Sequence, residues 1–288
     1  KKSALQEACV FLAGAAKKAC FDPEHTSVAE LERMRGSLSG KIRRGFFSPL
    51  KAPLVSALRM VKDEAELAVI AEAATLGCVL FEAMLPRIDA GMTEIALAAE
   101  LEFLARGMGA EGMSFETIVA SGPRSALPHA RSSARRIEAG DFLLVDFGAE
   151  TQGYCADVTR TVVVGRAGAE QREVYEVVRA ANENASRRVR AGMTGRDADA
   201  LARDYIEQRG FGSLFGHSLG HGLGLEVHEA PRLARTADGA LAEGAVVTIE
   251  PGIYRPGWGG VRIEDDVFLG PGGPKILTSF TRELIELG

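Results

Sequence analysis

A short motif that occurs twice is the feature that most constrains the fold of this chain. The segment IDAGMT at Ile88–Thr93 recurs as VRAGMT at Val189–Thr194, 101 residues later. Each copy precedes a segment in which apolar residues have helical spacing, and strand-like segments follow. A repeated order of elements indicates a duplicated structural unit. We therefore predict two copies of an αββ unit, a helix followed by paired strands.

The part of the chain before the first copy has a different character. Residues 1–56 begin with a helix-like segment and then become loop-like, without clear periodicity. So few residues make only a thin core, so we predict a small or partial N-terminal domain. Residues 57–288 are assigned to one larger domain, which begins with an amphipathic helix that ends near Pro86. A second helix is predicted from Thr93 to Arg106, with Thr93 as its N-cap.

Composition excludes several classes of function. The 288 residues carry 34 Lys and Arg against 39 Asp and Glu, and the basic residues are spread among the acidic ones. A nucleic-acid-binding surface would show clustered basic residues, so no nucleic-acid partner is expected. No apolar run approaches the roughly 20 residues of a membrane span, so no membrane is expected either. The four cysteines form no CxxC pair, which predicts reduced thiols and a cytoplasmic protein.

Two carboxylates lie in the strand-like segments of the first half. Asp146 stands within the apolar run FLLVDFG, and Asp157 directly precedes VTRTVVV. Between them, GAETQG has the composition of a turn, and the midpoint of the two positions falls at Thr151/Gln152. A symmetric hairpin would place these carboxylates directly opposite each other, with Cβ atoms about 5 Å apart.

The second half repeats this arrangement. Glu250 lies in TIEPGIY and Glu264 in VRIEDDVFL, and their midpoint is Gly257 in the turn-like RPGWGG. The apolar neighbours of all four carboxylates favour burial, and buried like charges destabilise a fold unless they are neutralised. The pattern therefore predicts a cation between the two hairpins.

A glycine-rich segment, GHSLGHGLGLEVHE at 216–229, holds three of the five histidines. His221 lies between two glycines, which let the backbone approach a ligand-filled centre. Four carboxylates and one imidazole form an oxygen-rich set with room for two divalent ions, most suited to Mn²⁺ and also to Co²⁺ or Zn²⁺. His217 and His228 are too far apart for one compact metal face, and we predict that they donate hydrogen bonds to a substrate.

The same segment contains a competing motif. GHSLG matches the G-x-S-x-G nucleophile elbow, which would make Ser218 the nucleophile of a serine hydrolase. That motif requires a strand before it and a helix after it, and neither is indicated here. The serine hydrolase is a remote alternative.

These residues and their settings resemble the pita-bread metallopeptidases, specifically the Xaa-Pro branch that contains prolidase and aminopeptidase P. The settings are VDFG, ADVTRT, GHGLGLEVHE, EPGIY and GVRIEDD, and the resemblance extends from about Arg59 to Gly288. It implies an α+β chain with the pita-bread (creatinase/aminopeptidase) fold, in which two pseudo-symmetric halves surround a curved antiparallel sheet. Family members normally carry a much longer N-terminal domain than the segment before Arg59.

The resemblance also implies a role for each candidate residue. Asp157 and Glu264 would bridge two divalent ions, Asp146 would bind one ion, and His221 with Glu250 would bind the other. Histidines around the substrate and the tetrahedral intermediate are matched by His129 in LPHA, His217 and His228. Arg262 matches a position near the metals that meets a substrate carboxylate, and Tyr254 is a weaker match.

The implied reaction is hydrolysis of the bond before a proline, either in Xaa-Pro dipeptides or at the start of longer peptides. A hydroxide held between the ions would attack the scissile carbonyl, Glu250 would carry the proton to the leaving nitrogen, and His228 would stabilise the oxyanion. The substrate would be a proline-containing peptide, and a homodimer is compatible with the family. Three alternatives on this fold stay open: a methionine aminopeptidase-like enzyme, a creatinase-like hydrolase and a metal-free binding protein.

Overall fold

Two units of very different size make up the chain, Lys1–Arg59 and Met60–Gly288. The computed structural model describes residues 3–23, 25–38, 40, 45–51 and 54–288. The sequence predicted a boundary between two domains after residue 56, and that boundary stays a prediction.

The small unit contains more regular structure than the sequence indicated. Its first helix is confirmed, and Ser3 caps it by accepting a hydrogen bond from the N–H of Gln6. The prediction of a loop-like remainder was wrong, because strands of three residues are too short to show a periodicity. The two strands pair in parallel. The elements are α1 (Ala4–Ala15), β1 (Ala19–Phe21), α2 (Val28–Gly36) and β2 (Phe47–Pro49), and α3 (Leu54–Met60) follows at the division.

The large unit alternates helices and strands in two successive series. The first series comprises α4 (Glu64–Met84), α5 (Glu94–Gly107), β3 (Gly112–Met113), β4 (Ile118–Ser121), β5 (Phe142–Phe147), β6 (Ala149–Thr151), β7 (Tyr154–Cys155) and β8 (Val158–Val164). The second comprises α6 (Ala169–Arg188), α7 (Gly195–Gln208), β9 (Gly220–Gly222), β10 (Glu229–Leu233), β11 (Val246–Ile249), β12 (Gly252–Arg255), β13 (Gly259–Arg262), β14 (Asp265–Gly270) and β15 (Gly273–Ile276). A last strand, β16 (Glu286–Leu287), returns to the first series and pairs with β8.

The predicted duplication is confirmed at the level of single residues. Thr93 caps α5 by accepting the N–H of Ala96, and Thr194 caps α7 by accepting the N–H of Asp197. Each threonine also forms an isolated antiparallel bridge, to Arg136 and to Ala240 respectively. The glycine of each motif has a positive φ, 96° at Gly91 and 85° at Gly192, a backbone conformation that favours glycine.

The sheets of the two series are built on a common plan. In the first series the strand order is β16-β8-β5-β4, and in the second it is β10-β9-β11-β14-β15. Helices α4 and α5 pack against the first sheet, and α6 and α7 pack against the second. The centre of the unit therefore lies between two long antiparallel ribbons, β5–β8 and β11–β14.

Helix α4 is apolar because it is largely a core helix. It is long and apolar enough to cross a membrane, with a mean hydropathy of 1.8 in its most apolar window, so the expectation that no run approaches this length was wrong. That criterion rests on length and composition alone, and 44% of the same window is buried within the chain. Leu80, Phe81 and Met84 are fully enclosed, and the Phe81 ring stacks on Phe147 of the sheet, with centroids 6.1 Å apart.

The first ribbon has a different register from the predicted one. Asp146 lies opposite Thr159, not opposite Asp157. The turn lies at Gln152–Gly153, where both φ angles are positive, as in a type I′ hairpin turn. The partner of Asp146 therefore lies two residues further along the chain than predicted. A shift of two residues leaves Asp157 on the same face of the ribbon.

The second ribbon has the predicted register. Ile249 pairs with Asp265, and Gly252 pairs with Arg262. The β11–β14 and β12–β13 pairs have the same register. Glu250 and Glu264, which lie between these pairs, are therefore opposite each other. The prediction that this hairpin presents two opposed carboxylates is confirmed.

Candidate metal centre

The five predicted ligands come from the two ribbons and from β9, which pairs with the second ribbon. Asp146 lies near the end of β5, and Asp157 directly precedes β8. Glu250 and Glu264 occupy the break in the second ribbon, between β11 and β12 and between β13 and β14. His221 is the central residue of β9, which pairs with β11. Each ligand therefore stands in or next to a strand of the central sheets.

The structure brings these side chains together. Ligand atoms of Asp157, His221 and Glu264 all lie within 4.8 Å of one another. The Nε2 atom of His221 is 3.5 Å from Oε1 of Glu250. Asp146 is joined to the group through Arg262, which also donates a hydrogen bond to Thr159.

Three buried oxygens of this group have no hydrogen-bond partner among the described residues. They are Oδ1 of Asp146, Oδ1 of Asp157 and Oε1 of Glu264, and their residues are only 7%, 5% and 2% exposed. Burying a carboxylate oxygen without a partner is costly. Oxygen donors with one imidazole match the preferences of a divalent ion such as Mn²⁺, so the residues present fit a metal centre.

Without a bound cation, the negative charges of these carboxylates repel one another. Burial and the neighbouring carboxylate of Glu264 raise the pKa of Asp157 well above its usual range. The same two causes raise the pKa of Glu250. Burial, followed by the charge of Asp146, raises the pKa of Glu264 to about 8. These carboxylates become favourable as anions only beside positive charge.

The imidazole of His221 is oriented with one nitrogen towards the carboxylates. Its Nδ1 lies 3.1 Å from the carbonyl oxygen of Gly222, and because a carbonyl only accepts, Nδ1 carries the proton. Nε2 therefore presents a lone pair to Asp157 and Glu250, which is the usual arrangement of a metal-binding histidine. Burial, with a smaller effect of the charge on His228, lowers the pKa of His221 to about 4.

Three polar residues that the sequence reasoning missed support the ligands. The hydroxyl of Thr159 donates to Oε2 of Glu264 over 2.5 Å, and that of Thr248 accepts the N–H of His221 over 3.1 Å. The carboxylate of Asp266 accepts the N–H of Asp157 over 3.1 Å. Strand parity was the available signal, because each of the three lies two residues from a ligand and shares its face.

His217, Tyr254 and Arg262 form a chain of hydrogen bonds beside the ligands. Nδ1 of His217 donates to the carbonyl of Ser218, so Nε2 accepts from the Tyr254 hydroxyl, each over 2.8 Å. Arg262 donates to that hydroxyl over 2.9 Å and to the carbonyl of Pro128 over 3.1 Å. Burial, followed by the Arg262 charge, lowers the pKa of His217 to about 3. Arg262 is 3% exposed, and its substrate contact stays a prediction.

An open cleft of about 780 Å³ leads to this region, and its lining includes His129, His217, Ser218 and Arg232. Arg232 was not among the predicted site residues. It is exposed, lies opposite His221 in the β10–β9 register, and its charge acts on both His221 and His228. A cation thus faces the cleft next to the candidate metal ligands.

His228 lies over the ligand His221. The two ring centroids are 4.3 Å apart, and His228 is exposed. Burial, followed by the charge of His129, lowers the pKa of His228. Of the predicted substrate histidines, His228 therefore lies beside a metal ligand, and His129 and His217 line the cleft.

The serine hydrolase alternative is contradicted by the fold. Ser218 follows the short 3-10 helix Gly212–Leu214 and precedes β9, so no strand enters the motif and no helix leaves it. The strand-to-helix turn that a nucleophile elbow requires is not formed at Ser218.

Comparison with known proteins assigns this site to a family. The family model described as metallopeptidase family M24 matches residues 68–271. The uncharacterized peptidase YqhT of Bacillus subtilis is 48% identical over 236 residues, which are 82% of this chain and 67% of that protein. An Xaa-Pro dipeptidase of Pyrococcus furiosus is 45% identical over 232 residues, 81% of this chain and 67% of that protein. The alignments therefore span about two thirds of these relatives.

A solved structure shows the same architecture. The Xaa-Pro dipeptidase from Bacillus anthracis superposes with a TM-score of 0.94 and 42% sequence identity, covering 99% of this chain and 79% of that one. The predicted pita-bread fold, of mixed α+β class with a small N-terminal part, is confirmed by this likeness.

Proposed function

The chain belongs to metallopeptidase family M24, and from that premise we propose that it is a metal-dependent exopeptidase that hydrolyses Xaa-Pro bonds, with dipeptides as its preferred substrates. The observation that carries the proposal is the cluster of Asp157, His221 and Glu264, whose ligand atoms lie within 4.8 Å of one another. In the described part of the chain, Oδ1 of Asp157 and Oε1 of Glu264 are buried without a hydrogen-bond partner. Similarity to proteins named Xaa-Pro dipeptidase supports the choice of substrate.

The proposed cofactor is a pair of divalent ions, with Mn²⁺ preferred over Co²⁺ or Zn²⁺ because four of the five ligands are carboxylates. Asp157 and Glu264 would hold both ions, Asp146 would hold one, and His221 with Glu250 would hold the other. When bound, the ions would lower the pKa of a water towards neutrality and polarise the scissile carbonyl.

The side chains around the ligands supply proton transfer and hydrogen bonds. We assign Glu250 the transfer of a proton from the attacking water to the leaving nitrogen, which in an Xaa-Pro bond carries no hydrogen of its own. His228 and His129 face the cleft side of the ligands, where they can donate to the oxygen that becomes negatively charged in the transition state. Tyr254 and His217 hold the wall of the cleft through their mutual hydrogen bond.

A preference for dipeptides is supported by the charge of the cleft. Arg232 is exposed beside the metal ligands, and a free α-carboxylate one residue after the scissile bond would lie close to them. A guanidinium binds a carboxylate through two parallel hydrogen bonds. A longer peptide has no carboxylate at that distance, so its next residue would not neutralise the Arg232 guanidinium.

Metal analysis combined with substrate profiling tests this function. Purified protein stripped with a chelator should be inactive and should regain hydrolysis of Ala-Pro and Met-Pro when Mn²⁺ is added. Hydrolysis of the corresponding Xaa-Pro tripeptides should be weaker. Faster release of the first residue from Xaa-Pro tripeptides would indicate an aminopeptidase of the same branch.

The other functions on this fold predict different results. A methionine aminopeptidase-like enzyme would release Met from Met-Ala-Ser faster than it would cleave Met-Pro. A creatinase-like hydrolase would keep its activity after chelation. A metal-free binding protein would hold no stoichiometric metal, which the three unpartnered oxygens argue against.

Location and assembly belong to the same proposal. All four cysteines are free thiols, which supports a reducing compartment, and we place the protein in the cytoplasm. A homodimer is proposed from the family resemblance, and sedimentation of the purified protein would test it.

A further inference from the structure

Glu94, the first residue of α5, is a fully enclosed carboxylate that lies outside the metal centre. Its Oε1 accepts the N–H and the hydroxyl of Ser121, both over 2.8 Å. Its Oε2 accepts the N–H of Ser133 over 3.0 Å and the hydroxyl over 2.6 Å. Arg124 adds an ion pair over 2.9 Å. One side chain thereby joins the two ends of the segment 121–133, which carries His129.

Asp199, in the first half of α7, is 1% exposed. Its Oδ1 accepts the N–H of Leu219 over 3.0 Å, and its carboxylate is paired with Arg203 through two hydrogen bonds. Arg203 donates in turn to the carbonyls of Phe215 and His217, over 2.9 Å and 2.7 Å. This ion pair therefore holds the backbone of the segment 215–219 on both sides of the His217 side chain.

The two arrangements play similar parts in the two halves, although Glu94 is the first residue of α5 and Asp199 is the fifth residue of α7. Each acid belongs to the helix that follows one copy of the repeated motif, and each has an arginine partner. Each holds a segment whose histidine lines the same cleft. We propose that Glu94 and Asp199 are positioning residues that fix His129 and His217, one in each half of the fold, at the wall of the substrate cleft.

The surroundings of the two histidines show what a fixed backbone contributes. His129 is exposed, so the position of its ring depends on its loop. The His217 ring is partly exposed and bonds to the Ser218 carbonyl and the Tyr254 hydroxyl, so its backbone must lie where both bonds can form. A displacement of about 1 Å is enough to impair a catalytic hydrogen bond. Buried charged hydrogen bonds are among the stronger restraints available to a loop.

The first test is a spectrum that needs no activity. The chain has five histidines, so the Hε1–Cε1 signals of the whole protein are few and can be assigned with His129→Ala and His217→Ala. Glu94→Gln should shift or broaden the His129 signal and leave that of His217 in place, and Asp199→Asn should do the reverse. Glu100→Gln in α5 and Asp204→Asn in α7 are matched controls that should move neither signal. Unchanged signals in Glu94→Gln and Asp199→Asn would overturn the proposal.

The second test is kinetic and rests on the proposed peptidase function. Glu94→Gln should lower kcat/KM by about tenfold in the unmodified protein. In the His129→Ala variant the same change should lower kcat/KM by less than twofold, because Glu94 acts through His129. Equal losses in both backgrounds would show a general structural role and contradict the proposal. If the unmodified protein cleaves no Xaa-Pro peptide, the proposed function fails, and the spectrum still decides the positioning role.

Milder variants protect both tests against misfolding. Ser133→Ala removes one of the hydrogen bonds to Glu94, and Arg203→Lys keeps a positive charge beside Asp199 while it removes the guanidinium donors to Phe215 and His217. Metal content and the unfolding temperature should be measured for every variant. A variant with native metal content and native stability but an unmoved histidine signal would also count against the proposal.

Discussion

The Nε2 atom of His221 lies 3.7 Å from Oδ2 of Asp157, although the two residues belong to different halves of the duplicated fold. Asp157 precedes the last long strand of the first ribbon, and His221 lies in a strand of the second sheet. The separation is too long for a hydrogen bond, and a shared cation would satisfy both atoms. The candidate metal centre is therefore also a junction between the halves.

Removal of a ligand shared by both ions should abolish metal binding and turnover together. We expect Asp157→Asn and Glu264→Gln to lose bound metal and to lower kcat/KM by about 10³-fold or more, because the ions supply most of the transition-state charge stabilisation. Metal analysis and Xaa-Pro hydrolysis check this. Glu100→Gln, a change at a partly exposed residue of α5 outside the site, is the control and should behave like the unmodified protein. Normal activity in either ligand variant would refute the assignment.

His228 should matter for the rate and not for metal binding. Its ring lies over His221 and is exposed, so it can donate a hydrogen bond to a developing negative charge beside the ligands. We expect His228→Ala to reduce kcat by about 10²-fold or more with metal content unchanged. Steady-state kinetics at saturating metal measure the effect. A variant that loses metal instead would place His228 among the ligands.

The sequence predicted most of the centre because its parts obey short-range rules. The repeated motif predicted the duplication, and the turn chemistry around Gly257 predicted the pairing of Glu250 with Glu264. The predicted register of the first ribbon was wrong by two residues. Its turn has positive φ angles at Gln152 and Gly153, and a glutamine in the sequence does not indicate such a turn. The face of Asp157 was unaffected, since side chains alternate with a period of two.

Residues that act over long sequence separations could not be predicted. Glu94 contacts Ser133, 39 positions later, and its sequence context is that of an ordinary helical N-terminus. Arg232 lies opposite His221 across a register shift in the β10–β9 pair, which no periodicity reveals. Such residues are located by tertiary packing, so only the structure could add them to the site.

Arg232 should determine the preference for a free carboxylate. We expect Arg232→Met to raise KM for an Xaa-Pro dipeptide by roughly tenfold to a hundredfold, the loss of about 1.5–3 kcal/mol for a hydrogen bond to a charged group. The KM for the same dipeptide with an amidated C-terminus should change little, because that substrate has no charge to lose. The KM of each substrate should be measured for the unmodified protein and for Arg232→Met. An equal rise for both would argue against a carboxylate contact.

The stability of the metal-free protein should fall as pH rises above neutrality. The pKa of Glu264 is raised from 4.5 to about 8 by burial and by its carboxylate neighbours, so the folded state keeps a proton that the unfolded state has released. Unfolding therefore releases a proton between these values, and stability decreases with increasing pH. Asp157 and Glu250, whose pKa values are also raised, act in the same direction.

The histidines act in the opposite direction, but only in a lower window. The pKa values of His217 and His221 fall from 6.5 to about 3 and about 4, so their effect on stability is lost as pH falls below 6.5 and is constant above it. Between pH 7 and 8 the carboxylates alone determine how stability changes with pH. The free energy of unfolding should fall by about 1 kcal/mol per pH unit, which corresponds to roughly 2–4 °C in Tm. Thermal unfolding in chelator should show this decrease, Glu264→Gln should flatten it, and Mn²⁺ should reverse it by binding only the folded state. A Tm of the chelated protein that is constant or rises across this interval would contradict the electrostatic account, because the raised pKa values of Asp157, Glu250 and Glu264 require the opposite trend.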